Sequence, residues 1–141
     1  MILLDDVHLS LTTQAGEVNI LRGINLRIEH GETVGIIGPS GSGKSTLMLA
    51  LAGLERISSG RLCVAGQDIG NWSEKDLTRF RRETMGIVFQ SFHLIPTMTA
   101  LENVALPLEL SGNDTAFAQA EAALDAVGLA HRLTHYPGQM S

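Results

Sequence analysis

Apolar residues cluster early in ILLDDVHL, Ile2 to Leu9, and then alternate with polar ones in INLRI, Ile24 to Ile28; both stretches predict β-strands. A turn at HGE precedes the short apolar run TVGIIG, Thr33 to Gly38, which predicts a further strand. After a glycine-rich loop, STLMLALAGLE is apolar almost all round and long enough to be a buried helix. SSGRLCVAGQDI then predicts a turn and a short strand. Ser73 ahead of EKDLTRFRR has the Ser-x-x-acid pattern of a helix start. MGIVFQ, Met85 to Gln90, reads by its continuity as a strand buried on both faces. Thr99 and Glu102 offer a capping box for ALENVALPLEL, which Pro107 should end or kink. From Thr115 onward, Phe117, Ala120, Leu124 and Val127 recur at helical spacing, and Gly128 is placed to stop that helix.

Strands alternating with helices after residue 33 predict an α/β architecture with a mainly parallel sheet, and the antiparallel-looking start predicts a smaller β layer beside it. A chain of 141 residues, 44% hydrophobic and 18% charged, can bury one core, so one domain or part of one is expected. The formal charge of -5 leaves no basic field for a polynucleotide backbone, and no nucleic-acid partner is expected. Cys63 is the single cysteine, which fits a reducing compartment, and it reads as a small buried hydrophobe. The start MILLDDV carries acids where a secretory leader needs basic residues, and no apolar run approaches the roughly 18 residues of a membrane span. A cytoplasmic location follows as the expectation, with any membrane association peripheral. His8, His30, His93, His131 and His135 show no metal-ligand spacing.

The stretch GPSGSGKST, Gly38 to Thr46, satisfies GxxxxGK[ST] through Gly38, Gly43, Lys44 and Ser45, with Pro39, Ser40, Gly41, Ser42 and Thr46 completing the loop. Glycines let the chain wrap closely with backbone N–H groups pointing inward, where they and the positive end of the following helix bind phosphate oxygens. Lys44 is placed to reach the β and γ phosphates, and the Ser45 hydroxyl to complete a magnesium shell. ATP and Mg2+ are the ligands this loop implies. A predicted strand before the loop and a helix after it are the setting such a motif requires.

LRGINLRIEHGETVGIIGPSGSGKSTLMLALAGLERISSGRLCVAGQDI resembles the opening of an ABC transporter ATP-binding subunit, and VFQSFHLIPTMTALENVALPLEL strengthens the likeness. The second stretch is similar to the class serving lipoprotein release and macrolide export, with YbbA-type members nearest. The resemblance implies a P-loop NTPase fold of the ABC ATPase type with an N-terminal antiparallel β layer. It places Gln90 at the glutamine that contacts magnesium or the attacking water and couples nucleotide state to the membrane subunit. It also places Phe92, His93, Leu94, Ile95 and Pro96 where relatives meet a permease, and it implies a homodimer in full-length relatives. One departure stands out: the family's adenine-stacking aromatic falls at Leu11, an aliphatic residue without an aromatic face.

YPGQMS, Tyr136 to Ser141, matches the approach to the family's signature motif, with Met140 and Ser141 as its first two positions. By that resemblance the signature glycines, the Walker B acids and the switch histidine fall after residue 141, as do strands filling the middle of the sheet. Residues 1–141 are then the amino-terminal part of one nucleotide-binding domain, an incomplete domain that would bind ATP without hydrolysing it alone. MILLDD imitates a Walker B strand but precedes the phosphate loop and aligns with the first β-layer strand. The alternatives are a short nucleotide-binding module or truncated product without turnover, and a P-loop kinase or GTPase. Against the last stands the lack of an NKxD-type guanine-reading sequence.

Overall fold

A computed structural model describes residues 1–13 and 16–140; Ser141, an expected signature position, lies outside them. The chain divides into two compact units, Met1–Ile87 and Val88–Ser141.

The first unit is organised by a long antiparallel pair. Strand β1 (Ile2–Thr13) runs against β2 (Gly16–Ile28), from Ile2 opposite Ile28 to Thr13 opposite Gly16. Both strands extend well beyond ILLDDVHL and INLRI, because a paired neighbour accommodates polar threonines and asparagine that the alternation pattern passes over. The other edge of β1 pairs antiparallel with β3 (Ser59–Val64), which turns at Ala65 and Gly66 into β4 (Gln67–Asp68), giving the order β2-β1-β3-β4.

Alternation along β1 breaks at Asp5 and Asp6, where the register shifts against both neighbours. The bulge moves the buried positions from Leu4 to Val7 and Leu9 and keeps both aspartates in water. Gly60 permits it: at φ +91, an added Cβ would lie 2.3 Å from the Asp6 carbonyl oxygen. Leu4, Val7, Leu62 and Val64 of the sheet pack with Ile69, with Leu51 of α1 (Lys44–Leu51), and with Leu77 and Phe80 of α2 (Glu74–Thr84). Burial of each large side chain contributes roughly 1.5–3 kcal/mol relative to exposure. Cys63 lies buried in β3 as expected. Ser73 caps α2, accepting from the Asp76 N–H, and Arg81 donates to the Gly53 carbonyl at 2.6 Å and to Glu74 at 2.6 Å, tying α2 to the chain just past α1.

Several expectations need correction. TVGIIG and MGIVFQ form no strand, and among the described residues there is no parallel sheet. A strand is a pairwise object, and nothing among the described residues hydrogen-bonds alongside either run; Ile37 is 95% and Val88 100% exposed. Helix α1 is not buried all round: Ala50 and Leu51 are inside, whereas Met48 faces out.

In the second unit, α3 (Ala100–Leu110) and α4 (Ala116–Ala126) pack against each other with Ala105, Ala116, Ala120 and Leu124 buried. The face of α4 thus differs from the expected one, since Phe117 and Val127 are exposed and alanines allow the close approach. Pro107 does not end α3, which continues to Leu110 and is capped at Ser111. After α4, the Gly128 N–H donates to the Asp125 carbonyl, as a terminating glycine does. The chain then returns past α3 through a short 3-10 turn at Ala130–Arg132, and a second turn covers Pro137–Gln139.

Candidate functional site

The loop from Gly38 to Gly43 closes on itself and on β2. Its Ser42 N–H donates to the Pro39 carbonyl at 3.3 Å. Gly43 adopts φ +87, and an added Cβ would meet the Ile20 Cγ2 atom at 3.2 Å, so only glycine lets the loop lie this close to the strand. Lys44 folds back over the loop, its ammonium donating to the carbonyls of Gly38 at 2.9 Å and Pro39 at 2.6 Å and to the Ser42 hydroxyl at 3.5 Å. The lysine charge is thereby held inside the ring of residues the sequence singled out.

Helix α1 opens at Gly43 with no side-chain cap and no acidic residue in its first turn. Leu47 makes the first intrahelical bond, to the Gly43 carbonyl, and among the described residues nothing accepts from the N–H groups of Lys44, Ser45 or Thr46. Orphan donors at the positive end of a helix form an anion-binding surface. The exposed Ser45 hydroxyl likewise has no hydrogen bond among the described residues, so it is open to an oxygen-liking divalent cation.

Opposite the loop stands β2. Val18, Asn19, Ile20 and Arg22 line, with Ser40 to Thr46, an open cleft of about 550 Å³. Between the pairs Leu9 with Leu21 and Ser10 with Asn19, β2 carries one residue more than β1, Ile20, and this irregularity sits directly at the cleft. Leu11 does not line the cleft; it lies across from Val18 on the hairpin, and both are partly exposed on the same side. No acidic residue lines this cleft, and its two cations are Lys44 and Arg22. The four β2 residues escaped the sequence reading because GEVNILR was not read as strand. Val18 and Ile20, β-branched and two apart, were the available signal.

Gln90 and Phe92 to Pro96 belong to the second unit. The Gln90 side chain is exposed and makes no hydrogen bond among the described residues. Phe92 is 84% exposed, and Leu94 and Ile95 are partly so. His93 takes φ +50 and sets its ring edge-on to Phe89, centroids 4.9 Å apart. The stretch is held from behind by Asn103 of α3: its Oδ1 accepts from Ile95 N–H at 2.8 Å, and its Nδ2 faces the carbonyls of Ile95, Met98 and Thr99 within 3.1 Å. Asn103, near the start of α3, is a further residue the sequence reading missed, since an asparagine inside a helix carries no pattern.

Elsewhere, among the described residues, no group of three His, Cys, Asp or Glu side chains could hold a metal ion, and no helix is long and apolar enough to cross a membrane.

Comparison with known proteins agrees with this geometry. The family model described as ABC transporter matches residues 21–141. The lipoprotein-releasing system ATP-binding protein LolD 2 of Caulobacter vibrioides is 47% identical over 131 residues, which is 92% of this chain and 58% of that protein. The uncharacterized ABC transporter ATP-binding protein YbbA of Escherichia coli K12 is 46% identical over 138 residues, 95% of this chain and 60% of its own. Among solved structures, the dimeric post-hydrolysis state of the ATP-binding cassette MJ0796 bound to ADP and Pi superposes with a TM-score of 0.88 at 34% identity. It covers 100% of this chain, which covers 63% of it. The chain therefore spans about three fifths of the length of the relatives it matches. A phosphate-type loop on an uncapped helix, an antiparallel β layer beside it and this family match from residue 21 onward agree, and the chain belongs to the ABC transporter family.

Proposed function

We propose that this chain binds Mg·ATP in the cleft between the Gly38–Thr46 loop and β2, as the nucleotide-binding portion of a subunit that energises a membrane permease. The observation that carries the reading is the unengaged first turn of α1 beside a lysine held over the loop carbonyls. Phosphate oxygens accept from the N–H groups of Lys44, Ser45 and Thr46, and the Lys44 ammonium neutralises the β and γ phosphates. The Ser45 hydroxyl would hold the magnesium ion, which would offset phosphate charge there; Gln90 is a separate candidate ligand in the second unit. Among the described residues no carboxylate lines the cleft to serve as a general base, and the expected phosphate release by this chain is at background. Titration of the purified chain with a fluorescent ATP analogue tests this. Binding should require magnesium and weaken at least about tenfold in Lys44→Ala, a loss of roughly 1.4 kcal/mol. Unchanged binding in that variant would overturn it, as would displacement of ATP by GTP at much lower concentration.

The exposed Phe92 to Pro96 stretch is the proposed permease contact, with the subunit lying peripherally on the cytoplasmic face of a membrane; a homodimer is proposed from the dimeric form of the similar cassette. Support for the permease contact is the exposure of Phe92 on a backbone fixed by Asn103. Phe92→Asp in the full-length subunit should abolish co-purification with the permease while leaving nucleotide affinity unchanged. Retained co-purification would refute the contact.

A further inference from the structure

We infer that Arg22 is a nucleotide-reading residue, its guanidinium contacting the phosphate chain beyond the α position while the Val18 end of the cleft wall receives the base. The inference rests on the Mg·ATP reading above. Arg22 stands in the cleft wall facing the loop, the one cation there besides Lys44, with no acidic residue lining the cleft to neutralise it. The two cations differ in how far they are engaged. Lys44 points all three of its donors at loop atoms, at 2.9, 2.6 and 3.5 Å. Arg22 makes a single long bond, Nε to the Asn19 carbonyl at 3.3 Å, and among the described residues its two Nη groups make none. An exposed guanidinium with four free N–H donors is shaped for paired phosphate oxygens. That single bond to Asn19 also turns the head along β2 rather than away from it.

Position along the strand decides between base and phosphate. Val18 and Arg22 are four residues apart, at most roughly 13 Å at the rise of a strand, with Ile20 between them against Gly43. The wall is therefore apolar at one end, where Val18 lies beside Leu11, and cationic at the other. A nucleotide has the same polarity: a heteroaromatic base that favours apolar contact, and a polyanion. With Leu11 aliphatic, the base end supplies packing area but no aromatic face, so the polyphosphate end carries a larger share of the recognition.

The test is competition of ATP, ADP and AMP, each with magnesium, against a fluorescent ATP analogue on the purified wild-type chain, Arg22→Gln, Arg22→Lys and Lys44→Ala. Arg22 is exposed, and thermal unfolding of each variant serves as the control for folding. Arg22→Gln should weaken ATP and ADP by about tenfold and AMP by less than about threefold, with Arg22→Lys intermediate and the ATP loss shrinking at high salt. Equal losses for all three nucleotides would overturn the assignment to the phosphates beyond the α position. ATP affinity within twofold of wild type in Arg22→Gln, alongside a large loss in Lys44→Ala, would overturn the inference and leave the Mg·ATP reading standing. Absence of binding by the wild-type chain would remove both.

Discussion

Helices α1 and α3 begin in opposite ways. In α3 every early N–H has an acceptor: Ala100 donates to the His135 carbonyl, Leu101 to Leu133, Glu102 to the Thr99 hydroxyl and Asn103 to the Thr99 carbonyl. The Glu102 carboxylate then returns to the Thr99 N–H at 2.7 Å, completing a capping box. In α1 the corresponding groups of Lys44, Ser45 and Thr46 have no acceptor among the described residues, and no acid complements the dipole. A helix start that serves the fold is closed with the chain's own oxygens. One left open, at a cost in helix stability, is available to oxygens from outside.

The comparison breaks most sharply if α1 is given what α3 has. Ser45→Glu puts a carboxylate into the first turn and removes the hydroxyl proposed above to hold magnesium. Mg·ATP affinity should fall about a hundredfold, or about 2.7 kcal/mol, while stability holds or rises by a few tenths of a kcal/mol. Isothermal titration and thermal unfolding on one sample read both signs, and a variant that loses stability together with affinity would contradict the contrast. Removing the cap of α3 should do the reverse on a smaller scale. Thr99→Ala is expected to destabilise the second unit by about 1 kcal/mol and leave nucleotide affinity within twofold. Its companion Glu102→Gln probes the charge alone. The backbone hydrogen bond from Thr99 holds the Glu102 carboxyl below its usual 4.5. A depressed pKa contributes stability above the ordinary value, and that stability is lost as pH falls through the lowered one. The second unit should therefore weaken on acidification below about pH 4.5 less steeply in Glu102→Gln than in wild type, as followed by circular dichroism. Parallel acid profiles would remove Glu102 as a source.

What the sequence made legible follows the range of the interaction involved. Ser73, Thr99 with Glu102, and Gly128 act within a few residues, and each stands where its local chemistry predicts. The loop from Gly38 into α1 is of the same kind, nine consecutive residues whose last three form the first turn of a helix. Strands were harder. β1 and β2 run longer than their apolar cores because each residue of SLTT meets a partner across the hairpin, and a partner is invisible in one strand's pattern. TVGIIG and MGIVFQ fail in the other direction: continuous apolar runs with nothing alongside them among the described residues. Pro107 within α3 and the alanine face of α4 were decided by packing rather than propensity. Arg22 in the cleft of the first unit and Asn103 in the second unit went unnoticed because their significance lies in what faces them, the loop in one case and a chain turn in the other.

Asn103 has a consequence for the energetics of association. One carboxamide, its oxygen on the Ile95 N–H and its nitrogen toward three carbonyls, ties the backbone next to the exposed Phe92 to a helix. Ordering a free loop on contact costs conformational entropy that subtracts directly from affinity, on the order of 1–2 kcal/mol for each residue fixed. Here much of that ordering is already complete in the unbound chain. In the permease contact proposed above, the apolar side chains of Phe92, Leu94, Ile95 and Pro96 would then meet the partner without first having to be shaped by it.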